Sequence, residues 1–331
     1  MGGNKTLIFK KVPSGFPVAG EHLVVEDLPF DASAAPPPGG VVLSILSVSY
    51  DPYLRGKMRD AGAKSYNEAF KIGDPISNAG IAKIFKSDSP DYKEGELVIA
   101  FVPMGEYAVL KKEELPRIQR RVTNPHNFKD LDIFLGPLGM PGLTAYSSLY
   151  EIGKPKKGET IYISSAAGAV GQVVGQIAKH EGLRVIGSVG SDEKLDFIVN
   201  ELGFDGGFNY KKESFDDALK RLVPEGIDIY YENVGGKQLE SVLSVMNTFG
   251  RIVACGMVSL KLALIFFGRW VAAVQVELTI RSDFGVQHPR CGALRRQDPL
   301  RHGHPASYLP GLHRLRPELW AQVRQGAPGE C

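Results

Sequence analysis

Ile161-Tyr-Ile-Ser-Ser-Ala-Ala-Gly-Ala-Val-Gly-Gln-Val-Val-Gly-Gln-Ile-Ala-Lys179 decides how the chain is read. It opens with a short β-prone run, Ile161 to Ile163, passes through small residues from Ser164 to Gly168, and continues at helical spacing through Val170, Val173, Val174, Ile177 and Ala178. That pattern predicts strand, tight turn, helix. Gly168 and Gly171 stand where the turn must be tight and where a helix must pack closely on a strand, while Ala166 replaces the first glycine of the usual G-x-G-x-x-G pattern. Backbone N–H groups at such a helix start, with the positive end of the helix dipole, can hold a pyrophosphate. A βα turn with small residues for packing alone reads the same way on this stretch.

The next segment adds to the dinucleotide reading. Arg184 to Ser188 is a second β-prone run. An NAD-binding fold places an acid near the end of that strand, about 20 residues past the turn, to bind the ribose 2′-hydroxyl. Here Ser188-Val-Gly-Ser191 carries no carboxylate, Lys194 follows, and Tyr210 ends the next β-prone run. A missing acid beside a cation suits a 2′-phosphate, so NADP(H) is expected over NAD(H). Lys194 also reads as a solvated helix-face lysine. Asp192 and Glu193 read as acids in a first helical turn after an N-cap Ser191.

The 331 residues are 43% hydrophobic with a net charge of +2, enough for a buried core and two domains. The balanced charge calls for no nucleic-acid or anionic-membrane partner. The three cysteines (Cys255, Cys291 and Cys331) suggest neither a disulfide framework nor a zinc cluster, and no metal is expected. Met1-Gly-Gly-Asn-Lys-Thr6 lacks an apolar signal region but fits the loose N-myristoylation pattern. The most apolar run, Leu262 to Val274, contains Arg269 and is too short to span a bilayer. A reducing, cytoplasmic setting is expected.

Residues up to about 125 read as β with turns. Val41–Tyr50, Ile81–Phe85, Leu97–Phe101 and Tyr107–Leu110 are strand-like, and Pro/Gly-rich pieces separate them. Asp51-Pro-Tyr-Leu-Arg-Gly-Lys-Met58 follows the first of these, and Tyr53 offers either a phenol at a cleft or a half-buried aromatic. Thr144, after the Pro141-Gly142 bend, reads as a cofactor contact or as helix capping and packing. From Asp192 the chain alternates: helix to Leu202, strand Gly207–Tyr210, helix Phe215–Leu222, strand Ile227–Tyr231, helix Leu239–Met246, strand Gly250–Cys255. Alternation of that kind predicts a doubly wound parallel sheet, an α/β fold. Asn233, in the turn after a strand, can serve a ribose or nicotinamide amide, or simply its own backbone.

Seven strings together carry a resemblance. They are Asp51-Pro-Tyr-Leu-Arg-Gly-Lys-Met58, Met140-Pro-Gly-Leu-Thr-Ala-Tyr146, Ala166 to Gln176, Gly190-Ser-Asp-Glu-Lys194, Phe208-Asn-Tyr-Lys211, Glu232-Asn-Val-Gly-Gly236 and Gly250-Arg-Ile-Val-Ala-Cys-Gly256. In this order they resemble the zinc-independent medium-chain dehydrogenases/reductases of the leukotriene B4 12-hydroxydehydrogenase/prostaglandin reductase type, and especially the NADP-dependent alkenal double-bond reductases. The resemblance implies a GroES-like β-barrel domain (1–125) and a Rossmann NADP-binding domain (126–285), with the active site between them. It implies that Gly168, Ala169, Val170 and Gly171 bind pyrophosphate and that Lys194 and Tyr210 bind the 2′-phosphate. Gly190, Asn233, Cys255, Met140 and Thr144 would line the cofactor, and Tyr53 the substrate pocket. The implied reaction is reduction of the double bond of an α,β-unsaturated aldehyde or ketone, with Tyr53 a hydrogen-bond donor to the developing enolate oxygen. A quinone oxidoreductase on the same scaffold and a catalytically impaired NADPH-binding protein are the alternatives. A homodimer would match many members of the family.

The resemblance breaks after Met257. The family places a second tyrosine shortly after the Cys-Gly, where this chain reads Val258-Ser-Leu-Lys-Leu-Ala-Leu-Ile-Phe-Phe-Gly-Arg-Trp270. Lysine is absent after Lys261, and four of the seven histidines (His288, His302, His304 and His313) fall in Gln287–Cys331 without ligand spacing. Val276 to Phe284 returns to a family-like sixth strand. An insertion from about Val258 to Gln275 followed by a later shift of reading frame accounts for the pattern. Residues 286–331 are expected to form an irregular, poorly ordered tail.

Overall fold

The computed structural model describes residues 2–258, apart from 64 and 66. The expectations for the insertion, the family-like stretch 276–284, the irregular tail and its histidines lie outside the described residues. The described chain divides into two compact units, one up to Met140 and one from Pro141.

The first unit is antiparallel. β1 (Gly2–Phe9) pairs with β2 (Leu23–Phe30) as a two-stranded sheet. β3 (Val41–Val48), β4 (Ser77–Ser87), β5 (Leu97–Pro103), β6 (Tyr107–Leu110) and β7 (Ile118–Arg121) form a second sheet in the order β6-β3-β4-β5-β7. Period-2 alternation sends Ala82 and Ile84 inward and Lys83 and Phe85 outward, as a sheet with one wet face requires. Val41, Leu43, Val98, Ala100 and Val102 complete that core. β4 and β5 run longer than the sequence suggests, because β4 keeps pairing with β5 through Ser77, whereas β3 stops at Val48, short of the expected Tyr50. α1 (Tyr53–Lys57) follows β3. Its Leu54 is buried in a second cluster with Phe9, Met58, Phe70 and Ile76, and Tyr53 packs at the edge of that cluster.

The second unit holds five parallel strands: β8 (Thr160–Ile163), β9 (Arg184–Val189), β10 (Gly206–Asn209), β11 (Ile227–Glu232) and β12 (Met246–Ala254), in the order β10-β9-β8-β11-β12. Ile161, Tyr162, Ile163, Ile229, Tyr230 and Tyr231 are wholly buried, as strands covered on both faces demand. The helices are α2 (Met140–Ser148), α3 (Ala169–His180), α4 (Asp192–Asp196), α5 (Phe215–Leu222) and α6 (Lys237–Leu243). Val173, Val174, Ile177 and Ala178 of α3 pack in one cluster with Ile161, Ile163, Ile229 and Tyr231, while Ala218, Leu219 and Val242 pack in another with Tyr162, Ile186 and Tyr230. Helices on both faces make the sheet doubly wound, the α/β class the alternation predicts.

Several element limits differ from the sequence reading, and β12 begins at Met246 rather than Gly250. The helix expected over Asp192–Leu202 is α-helical only to Asp196 and then widens into a π-turn over Phe197–Glu201, closed by Leu202 N–H on Phe197 O at 3.0 Å. α6 ends at Leu243 rather than Met246, because Met246 already pairs with Ile227 as the first residue of β12.

Candidate nucleotide-binding edge and the Tyr53 cluster

Strand order reverses between β8 and β11: β9 and β10 lie to one side of β8, β11 and β12 to the other. Loops leaving the carboxyl ends of β8 and β11 therefore diverge, which is where open α/β sheets bind ligands. The turn after β8 is built almost wholly from backbone. Ser165 takes a left-handed φ of 51°, Gly168 N–H bonds Ser165 O at 2.9 Å, and α3 begins. A Cβ on Gly171 would lie 2.4 Å from Ser165 O, so this position excludes every side chain. No side chain caps α3, and its first N–H groups have no acceptor within the helix. Ala169 is exposed, with Gly168 and Val170 half-buried. Glycine-enforced close approach plus uncapped N–H donors fit a pyrophosphate.

The alanine at the first motif position has a structural partner. Ala166 is fully buried, and a Cβ on Gly187 of β9 would lie 2.6 Å from the Ala166 methyl. The methyl occupies the space that Gly187 leaves open, so the A-x-G-x-x-G form keeps the strand–turn distance short.

At the end of β9, Ser191 caps α4 by accepting Lys194 N–H at 3.4 Å. Lys194 is exposed, and among the described residues its ammonium has no carboxylate partner. Tyr210 N–H bonds Val189 O at 3.1 Å, which brings Tyr210 beside Gly190: a Cβ there would sit 2.8 Å from the phenol oxygen. Tyr210 is 45% exposed and stacks on Phe215. The structure therefore places Gly190 and Tyr210 side by side at the edge that also carries Lys194.

At the end of β11, Asn233 bonds across the sheet rather than to its own turn. Its N–H donates to Ser164 Oγ and its Nδ2 to Ser164 O, both at 2.7 Å. Glu232 is a residue the sequence reading missed. It is wholly buried, and its Oε1 accepts Val234 N–H at 2.6 Å and Gly235 N–H, shaping the turn in which Gly235 and Gly236 have positive φ. Burial pushes its carboxyl above the usual glutamate value, opposed by those N–H donors. Cys255 N–H bonds Glu232 O at 2.8 Å, and burial pushes its free thiol up. Thr144 is half-buried in α2, its carbonyl accepting Ser148 Oγ at 2.7 Å, and Met140 is exposed at the helix start.

In the first unit Tyr53 donates its phenol proton to Asn78 Oδ1. Asn78 is 1% exposed, and its Nδ2 donates to Asp51 Oδ2 at 2.7 Å and Ser49 O at 2.8 Å. Those two acceptors determine which way the amide faces. The Asn78 carbonyl is thus aimed at Tyr53, a constraint that spacing in the sequence does not reveal.

Residues 169–290 match the family described as zinc-binding dehydrogenase, and residues 5–118 match the N-terminal domain of oxidoreductase. Over 256 residues the chain is 55% identical to the NADP-dependent oxidoreductase RED1 of Cochliobolus heterostrophus, covering 77% of this chain and 72% of that protein. This chain is a medium-chain dehydrogenase/reductase. Two other members are informative. The 2-alkenal reductase (NADP(+)-dependent) of Nicotiana tabacum is 42% identical over 259 residues, 77% of this chain and 73% of that one. CurA of Vibrio vulnificus, solved in complex with NADPH, is 35% identical with a TM-score of 0.68, covering 80% of this chain and 74% of that one. Despite the zinc in the family's description, no group of three or more His, Cys, Asp or Glu among the described residues could hold a metal ion in this medium-chain reductase. None of the helices among them is long and apolar enough to cross a membrane.

Proposed function

We propose that this chain uses NADPH to reduce the carbon–carbon double bond of α,β-unsaturated aldehydes and ketones. The observation that carries the cofactor half is the Gly171 approach to Ser165 O beneath an uncapped helix start. The substrate half rests on the 42% identity to a 2-alkenal reductase. When bound, NADPH would supply hydride to the β-carbon of the enal, and a proton from water would complete the reduction at the α-carbon. Main-chain N–H groups from Gly168 to Gly171 hold the pyrophosphate, and Lys194 and Tyr210 hold the 2′-phosphate. Gly190, Asn233, Cys255, Met140 and Thr144 line the remainder of the cofactor.

Tyr53 is the donor we assign to the carbonyl oxygen, on which negative charge develops as an enolate. A phenol carries one proton, so the substrate oxygen and Asn78 Oδ1 compete for it. The buried Asn78 and Asp51 hold the phenol in place until substrate competes. A cytoplasmic, reducing setting agrees with the free Cys255 thiol, and a homodimer is the assembly we expect.

The test is NADPH consumption by purified protein with a small enal, a quinone and no acceptor. Consumption with the enal, lowered about 10- to 100-fold in kcat by Tyr53→Phe, supports the reading. Consumption with the quinone alone would transfer the chain to quinone reduction. Bound NADPH with no turnover would leave a nucleotide-binding protein.

A further inference from the structure

Asp192 stands 21 positions beyond Gly171, close to where a dinucleotide fold specific for NAD carries the acid that takes the ribose 2′-hydroxyl. An acid there also repels a 2′-phosphate. Asp192 nevertheless opens α4 two positions after Gly190 and two before Lys194, two residues assigned above to NADPH. The structure shows what has become of its charge. Asn209, the last residue of β10, pairs in register with Val189 of β9 and is buried. Its Oδ1 accepts Lys211 N–H at 3.1 Å, which determines the amide orientation and turns Nδ2 outward. That Nδ2 donates to Asp192 Oδ1 at 2.9 Å. The other carboxylate oxygen, Oδ2, takes the ammonium of Lys212. Lys212 is itself placed by its N–H on Asn209 O at 2.9 Å. One asparagine is therefore itself a partner of the aspartate and positions the other.

We propose that Asn209 and Lys212 are coenzyme-specificity residues that act through Asp192: they engage both of its carboxylate oxygens, so that the acid neither binds a ribose 2′-hydroxyl nor opposes a 2′-phosphate at Lys194 and Tyr210. The inference rests on the NADPH reading given above. The neighbouring charges agree with it. Glu193 is directed to Ser191, and its carboxyl is held below the usual range by that hydrogen bond. The Asp192 carboxyl is likewise held low, first by Asn209 and then by Lys212, while the Lys212 ammonium is held high by Asp192. Lys194 has no such partner among the described residues, and is a cation left available to a ligand. The division of labour is specific: Lys194 grips phosphate, and Lys212 neutralises the acid beside it.

The experiment measures binding, not turnover. NADPH and NADH are titrated separately against the full chain by nucleotide fluorescence at low ionic strength. The variants are Lys212→Met, Lys212→Arg, Asp192→Asn and the Lys212→Met/Asp192→Asn pair. Lys212 is exposed, so its replacement leaves the fold intact, which thermal unfolding checks. Lys212→Met is expected to lower the NADPH-to-NADH affinity ratio on the order of fivefold, the effect of one released surface charge nearby, and less at high salt. Lys212→Arg should keep the ratio. Asp192→Asn alone should change it roughly twofold or less, and the paired variant should return to the wild-type ratio. An unchanged ratio in Lys212→Met would overturn the proposal, as would an equal drop in the Asp192→Asn background, which would mean that Lys212 contacts the phosphate directly. Wild-type protein that binds neither nucleotide, or both equally, would instead refute the NADPH reading itself and this inference with it.

Discussion

The turn after β8 and the edge formed by β9 and β10 belong to one sheet, yet they are made of different material. The first is backbone: at Gly171 the Ser165 carbonyl leaves no room for a side chain, and at Gly168 the fit is tight. The second is side chains: Asp192 of α4 is bridged to Asn209 and Lys212, with Lys194 and Tyr210 at the same edge. The same kind of change should therefore cost very different amounts at the two places. A Cβ at Gly171 meets a main-chain oxygen at 2.4 Å, whereas a Cβ at Gly190 meets the far end of the half-exposed Tyr210 at 2.8 Å. Backbone cannot step aside without moving the strand, but a tyrosine tip can. On the reading proposed above, recognition common to all dinucleotides would fall where the chain is least tolerant, and the part that distinguishes one nucleotide from another where it can vary.

The sharpest way to break this contrast is Gly171→Val. It should cost roughly 2–4 kcal/mol of stability by forced overpacking and remove binding of both NADPH and NADH. Circular-dichroism unfolding and nucleotide titration would show it, and retained NADPH binding would end the backbone-cradle account. Next in size is Lys194→Ala. It should weaken NADPH by about 1–3 kcal/mol, the scale of a charge-assisted phosphate contact, and leave NADH nearly unchanged. Equal weakening of both nucleotides would show that Lys194 does not read the 2′-phosphate. Gly190→Ala should be milder, at about 1 kcal/mol or less of stability, with a small loss of NADPH affinity as the Tyr210 ring shifts. A cost equal to that of Gly171→Val would erase the distinction between the two regions. Smallest is Ser165→Gly. The residue sits at φ 51°, where a non-glycine is strained, so the change should stabilise the protein by a few tenths of a kcal/mol up to about 1 kcal/mol. Loss of stability would mean that the Ser165 side chain contributes more than its backbone strain costs.

The two regions also differ in how far the sequence reveals them. The β8 turn and α3 are legible because their signals are local: a β-prone run, small residues, then apolar residues every third or fourth position. The β9–β10 edge is legible only in part. Lys194 and Tyr210 stand out as residue types, but Asp192 reads as an ordinary acid in a first helical turn. Its partners lie 17 and 20 residues away, and no periodicity links them. The same holds for Glu232, whose burial depends on the turn folding back over it, and for Asn78, which meets Tyr53 from a strand 25 residues downstream. Limits such as the end of α6 at Leu243 are missed for a related reason: pairing of Met246 with Ile227 overrides the helical tendency of the preceding residues.

By itself the amino-acid order determined the alternation of strands and helices, the glycines of the turn between β8 and α3 and the family to which the chain belongs. Each of these is a property of neighbouring residues, governed by side-chain period and by steric limits on single φ/ψ pairs. Only the tertiary structure decided that Ala166 is matched by Gly187, that Asn78 claims the Tyr53 proton, and that Asp192 is occupied by Asn209 and Lys212. Those are contacts between segments, and their direction is established only once sheet register has brought the segments within hydrogen-bonding distance.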